Sequence, residues 1–151
     1  CGMHMMDAGR IEKGFRHFGH DITCEDHVLE AGLGFAVKTS KPDFIGRDAV
    51  LRKKETGLSK RLVQFKLTDP EPLLYHNEPV MRNGEVVSYM TSGVYGHHLG
   101  AAMGMAYIPC AGESVAEVLA SSYEVDVMGV RVKADASLKP FYDPTGARAK
   151  V

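Results

Sequence analysis

The sequence predicts an α+β chain in two parts: a mixed, partly helical stretch over residues 1–58, then a strand-rich stretch over 59–151. Three observations predict it. Helix start and stop signals cluster before residue 58. Period-two alternation begins at Val63. Asn83-Gly84 and Met128-Gly129 then interrupt apolar runs where tight hairpins need positive φ.

In the first part, Thr23-Cys24-Glu25-Asp26 reads as a short helix start, with the Thr23 hydroxyl as cap and acids in the first turn. Gly32 and Gly34 end it, and Phe35 and Val37 read as a short buried strand. Pro42-Asp43-Phe44-Ile45-Gly46 is a turn into a second helix over about 47–56. Asp48 near its start, Lys53 and Lys54 near its end, and Gly57 beyond it give the expected charge order and stop.

In the second part, Val63, Phe65 and Leu67 share one face of a strand, with Gln64 and Lys66 on the other. Val80-Met81 and Val86-Val87 flank Asn83-Gly84 as a hairpin. Val125 and Val127 pair across Met128-Gly129 with Val130 and Val132. Glu113 to Ser121 reads as a short helix, and Thr91-Ser92-Gly93 as a strand end and turn. Short strands separated by turns argue for a small antiparallel barrel or sandwich.

Composition excludes several classes. Lys and Arg number 18 against 19 Asp and Glu, so the net charge of -1 supplies no field for nucleic acid or an anionic membrane. No apolar run approaches the roughly 20 residues that span a bilayer. Gly2 to Asp7 lacks the pattern of a signal peptide. Three widely spaced cysteines, Cys1, Cys24 and Cys110, form neither a disulfide framework nor a paired-thiol metal site. Cys24 and Cys110 read as small packed residues in a reducing compartment.

Familiar catalytic motifs are missing: no G-x-G-x-x-G, no phosphate loop, no G-x-S-x-G elbow. Gly93, Gly96, Gly100 and Gly104 suit turns and close backbone approach. His17, His20 and the adjacent His97-His98 read as loop histidines, since neighbours on a strand point to opposite faces; no metal site is expected.

The sharpest segment is Arg10-Ile11-Glu12-Lys13-Gly14-Phe15-Arg16. Taken bare, Arg10 and Glu12 are an ordinary surface pair contributing little. Alternatively, the Glu12 carboxylate offers two acceptor oxygens to a ligand edge carrying an amine beside a ring N–H, as pterins and guanine do. Spacing alone leaves both open.

Arg10-Ile11-Glu12-Lys13-Gly14-Phe15-Arg16-His17-Phe18-Gly19-His20-Asp21-Ile22 resembles a signature of the folate-dependent aminomethyltransferase family. Its Glu-Lys-Gly form is similar to the carboxy-terminal modules of dimethylglycine and sarcosine dehydrogenases. The likeness continues in order through Glu30 to Lys38, Asp43 to Val50, Thr91 to His97, Ala106 to Pro109 and Lys139 to Gly146.

The resemblance implies the end of a mixed α/β folate-binding domain over 1–58, followed by a small antiparallel β-barrel over 59–151. It implies that Glu12 holds the pterin edge of tetrahydrofolate. It implies that Lys41, where the family more often has arginine, lies near the folate, and that Arg148 meets the acidic tail, for which a guanidinium fork is suited.

It also implies that the catalytic aspartate and any FAD domain lie in upstream segments. The expectation is therefore a carboxy-terminal fragment with no catalytic residue of its own. Its partners are reduced folate and the upstream remainder of the polypeptide, in the cytoplasm or a mitochondrial matrix. The larger protein would pass a one-carbon unit from a methylamine substrate to tetrahydrofolate. The alternatives are a glycine-cleavage aminomethyltransferase or sulfonium-compound demethylase, and a non-catalytic assembly domain pairing as a homodimer through exposed strand edges.

Overall fold

The computed structural model describes residues 2–150. Its strand-rich part starts where the alternation starts. Strand β1 (Lys60–Leu67) buries Val63, Phe65 and Leu67 on one face. Six further strands follow: β2 (Pro79–Arg82), β3 (Glu85–Tyr89), β4 (Ser92–Gly96), β5 (Ala101–Pro109), β6 (Tyr123–Val127) and β7 (Val130–Ser137). Together they form one antiparallel sheet in the order β3-β2-β6-β7-β1-β5-β4.

The sheet curls until β3, at one edge, lies against β5 near the other. The result is a half-barrel, which resolves the barrel-or-sandwich alternative. Its interior holds Val63, Phe65, Leu67, Val80, Ile108 and Val125, all fully buried, with Phe65 meeting Tyr123 edge to face at 5.1 Å. Burying each such side chain contributes about 1.5–3 kcal/mol.

Both hairpins form as read. Asn83 (φ 54°) with Gly84 (φ 90°), and Met128 (φ 54°) with Gly129 (φ 87°), supply the two left-handed residues that a two-residue turn requires. Helix α3 (Val115–Ala120) falls inside the predicted span, closed by a Ser114–Glu117 capping box. Helix α2 (Arg47–Thr56) stops at Gly57, φ 84°.

Helix α1 (Met3–Glu12) was not expected. It covers the outer face of β4 and β5, where Ile11 packs with Leu62, Met103 and Met105 as a second small core. Strand β5 is therefore buried on both faces. Gln64, on the outward face of β1, is buried under α1 as well, donating to the Ile11 carbonyl and accepting from Phe141 N–H at 3.1 Å.

Four expectations fail. Thr23 to Asp26 forms a turn, not a helix. The Asp26 carboxylate takes the Thr23 N–H (2.9 Å), the Thr23 hydroxyl takes the Glu25 N–H (3.2 Å), and these local bonds compete with helix formation. The expected buried strand at Phe35 is a short 3-10 turn, Gly34–Ala36, with Phe35 86% exposed. Thr91-Ser92-Gly93 opens strand β4 rather than ending one: a Cβ on Gly93 would lie 2.7 Å from the Leu74 backbone, so glycine permits close strand approach there. Cys110 is packed as expected, but Cys24 is exposed.

The two parts are tied together at Glu30. Its carboxylate is 5% exposed and accepts from Ser59 N–H (2.9 Å), the Ser59 hydroxyl (2.7 Å) and Lys53 Nζ (2.8 Å). The carboxylate thus links the turn segment to α2 and to the start of β1. Burial would raise this carboxyl, but the bonds from Lys53 and Ser59 outweigh it and bring it to about 2.

Candidate functional site

The site forms where α1 ends. Gly14 (φ 67°) turns the chain, with Gly14 N–H on the Ile11 carbonyl and Phe15 N–H on that of Arg10. This stop leaves Glu12 facing the turn between β4 and β5. The glycine at the end of β4 makes room for it: a Cβ on Gly96 would stand 3.2 Å from Glu12 Oε1 and 2.8 Å from Met103 Sδ.

Glu12 is 3% exposed, and both its oxygens are engaged by one residue. Oε1 accepts the His98 backbone N–H at 2.8 Å, and Oε2 lies 2.7 Å from His98 Nδ1. The contact is a hydrogen bond from His98 to the carboxylate in the tautomer that carries its hydrogen on Nδ1. The adjacent histidines sit in a turn rather than on a strand, and only His98 meets Glu12. Glu12 makes no pair with Arg10, which removes the surface-pair alternative.

The C-terminal segment closes over this corner. Tyr142 N–H reaches the Glu12 carbonyl at 3.3 Å, and its ring lies 4.6 Å from that of His98. Arg148 donates to the Tyr142 hydroxyl at 3.1 Å and places its guanidinium 5.4 Å from the ring centroid. Lys13 binds Asp143 at 2.9 Å, and this bond, with burial working against it, holds the Asp143 carboxyl below its usual range. An open cleft of about 480 Å³ starts at Lys13 and runs past Phe15, Arg16, Phe35 and Pro140.

Of the three residues singled out from the sequence, the fold therefore brings Glu12 and Arg148 to one corner, linked through His98 and Tyr142. Lys41 lies in an exposed turn, its carbonyl accepting from Arg47 Nε at 3.1 Å. Among the described residues it has no hydrogen bond or ion pair with Glu12 or Arg148. The sequence reads Gly96 as a glycine of close backbone approach and His98 as a loop histidine, and gives neither a role beside Glu12. Tyr142 lies in the Lys139 to Gly146 stretch of the family resemblance, which implies no role for it.

Arg10 serves a different purpose. Its guanidinium binds Asp21 (2.6 Å), Asp7 (2.8 Å) and the Ser92 hydroxyl (2.9 Å). Asp21 is wholly buried and also accepts from His17 N–H and the Thr91 hydroxyl. That network pins α1 and the following loop to β4. No helix among the described residues is long and apolar enough to cross a membrane.

Comparison with known proteins shows the family and the fold. The family described as the glycine cleavage T-protein C-terminal barrel domain matches residues 60–143, and the GCVT N-terminal domain matches residues 1–41. The chain is 44% identical over 151 residues to 4-methylaminobutanoate oxidase (formaldehyde-forming) of Paenarthrobacter nicotinovorans, covering 99% of this chain and 18% of that protein. It is 36% identical over 154 residues to human mitochondrial sarcosine dehydrogenase, covering 99% of this chain and 17% of that one. The chain thus spans less than a fifth of the length of either relative. The crystal structure of the glycine cleavage system aminomethyltransferase T from Bartonella henselae superposes with a TM-score of 0.77 at 26% identity, over 91% of this chain and 38% of that one. By the barrel match, the order of its strands and the relatives aligned along its whole length, the chain belongs to the glycine cleavage T-protein aminomethyltransferase family.

Proposed function

We propose that this chain supplies one wall of a tetrahydrofolate site within a longer enzyme that resembles sarcosine or dimethylglycine dehydrogenase. That enzyme passes a one-carbon unit from a methylamine substrate to tetrahydrofolate. The observation that carries the reading is Glu12, a buried carboxylate whose two oxygens already hold two parallel N–H donors. A pterin edge presents the same pair of donors, an amine and a ring N–H, and fits the same fork.

In this reading Glu12 orients the pterin. Arg148, at the open side of Tyr142, meets the carboxylates of the folate tail. Lys41 is the proposed second cation, although its exposed turn makes no hydrogen bond or ion pair with Glu12 or Arg148 among the described residues. The chain contributes binding and no catalytic group; the catalytic acid and the flavin belong to upstream segments. The two-part organisation, with its boundary near residues 58 and 59, belongs to the same proposal. So does a compartment without disulfide chemistry, the cytoplasm or a mitochondrial matrix.

The upstream polypeptide is also the proposed partner of the exposed apolar side chains, Met3 and Met5 on α1 and Phe15, Phe18 and Phe35 beyond it, all more than half exposed. A homodimer through exposed strand edges is the competing assembly, and sedimentation of the chain separates the two.

The test is equilibrium titration of the chain with 5-formyltetrahydrofolate, a stable reduced folate. Glu12→Gln, which replaces one acceptor oxygen by a donor, should weaken binding roughly 10-fold or more. Equal binding by the variant would remove Glu12 from the site.

A second reading follows from the 44% identical oxidase, whose name states that formaldehyde forms. In it the one-carbon unit leaves as formaldehyde and folate is dispensable. The longer protein, assayed with an N-methylamine with and without tetrahydrofolate, separates these outcomes by its one-carbon product.

A further inference from the structure

His98 gives Glu12 the partner that a ligand would otherwise give it. Its backbone N–H and its Nδ1–H make two donors side by side, one to each carboxylate oxygen, at 2.8 and 2.7 Å. The ring is 60% exposed over a carboxylate that is 3% exposed. The imidazole therefore lies as a cover on a buried acceptor, with water on its outer side.

Its other neighbour is the Tyr142 ring, tilted by 36° at 4.6 Å, and the Arg148 guanidinium stands 5.4 Å from the centroid of that ring. The turn carrying it is fixed by Leu99 and Gly100 N–H groups on the Gly96 carbonyl, so the backbone donor stays while the ring rotates about its own side-chain bonds.

We infer that the His98 ring is an internal mimic of one ligand donor, a specificity-determining side chain that must swing off Glu12 Oε2 before a ligand places a donor there. This rests on the reading of Glu12 as the pterin-binding carboxylate. Two consequences follow. A ligand must offer a donor where Nδ1–H stood, because without one the buried Oε2 would lose its bond. Removing the ring lowers the cost of entry.

The experiment compares 5-formyltetrahydrofolate binding to the full chain and to His98→Ala, His98→Asn and Glu12→Gln, each checked for an unchanged far-ultraviolet circular dichroism spectrum. His98→Ala should bind about 10-fold more tightly, since a hydrogen bond to a charged group no longer has to be broken. His98→Asn, whose amide nitrogen sits close to the Nδ1 position, should stay near the unmodified affinity. In the unmodified chain the hydrogen-bonded Nδ1 proton of His98, followed by nitrogen-edited NMR, should disappear on saturation with the folate.

Weaker or equal binding by His98→Ala, while Glu12→Gln still loses affinity, would overturn the mimic and leave the Glu12 reading standing. So would an Nδ1 signal that persists at saturation. If Glu12→Gln binds as the unmodified chain does, or if none of the proteins binds, both fall together.

Discussion

Arg10 Nη1 stands 2.6 Å from the carboxylate of Asp21, a residue with no solvent exposure. The pair joins the last turn of α1 to the loop that follows it, and Thr91 and Ser92 extend the network to β4. Breaking a buried pair from one side leaves an uncompensated charge. Asp21→Ala should therefore destabilise the chain by about 3–5 kcal/mol. Asp7→Ala removes a partner that is 30% exposed and should cost under about 1 kcal/mol. Urea unfolding midpoints of the two variants measure the difference.

Glu30 sets an acid limit on stability. Its folded carboxyl sits at about 2, below its ordinary 4.5. A depressed carboxyl contributes stability that is fully present above about 4.5 and is lost as pH falls toward 2. The contribution is on the order of 3 kcal/mol for this 5% exposed group, less whatever solvent screens. Glu30→Gln should be less stable at pH 7 and should lose that part of the slope of unfolding free energy between pH 4.5 and 2. A slope equal to that of the unmodified chain would place the acid sensitivity elsewhere.

What the sequence made legible follows from how local each signal is. Asn83-Gly84 and Met128-Gly129 carry their turn in two residues, and α2 carries its ends in Asp48, Lys53, Lys54 and Gly57. Helix α1 has no such signal. Met3, Met5 and Met6 are exposed, only Ala8 and Ile11 among its apolar side chains are buried, and Gly9 sits inside it, so no apolar stripe marks its period. Phe35 looked like core because it is large and apolar, yet no strand lies beside it. The functional corner divides the same way. Glu12 was reachable through its chemistry and the family resemblance. Its partner His98 lies 86 residues away, and no spacing rule connects residues that the β4–β5 turn alone brings together.

Gly9 offers a stabilising change. It is exposed in the interior of α1, its φ is not positive, and nothing lies within 4 Å of an added Cβ. Gly9→Ala should stabilise the chain by about 0.5–1 kcal/mol through helix propensity and a less flexible unfolded state. Gly93→Ala, in contrast, pushes a Cβ to 2.7 Å from the Leu74 and Tyr75 backbone and should cost about 1–3 kcal/mol or more. Thermal melts of the pair give opposite signs; a Gly93→Ala protein as stable as the parent would mean that β4 and the Leu74 segment separate at little cost.

Arg148 separates a binding role from a structural one. Its side chain is exposed, and its hydrogen bond to the Tyr142 hydroxyl is a surface contact. Arg148→Ala should therefore leave the urea midpoint within about 0.5 kcal/mol of the parent. If the guanidinium meets folate carboxylates, the same change should weaken 5-formyltetrahydrofolate binding about 5–10-fold, and added salt should narrow the gap. Arg148→Lys should recover only part of the loss, because an ammonium cannot reproduce the two-bond fork. Lys41→Ala, at a turn with no contact to this corner, should weaken binding less than Arg148→Ala. The reverse order would move the anionic end of the ligand away from Tyr142 and toward the exposed turn.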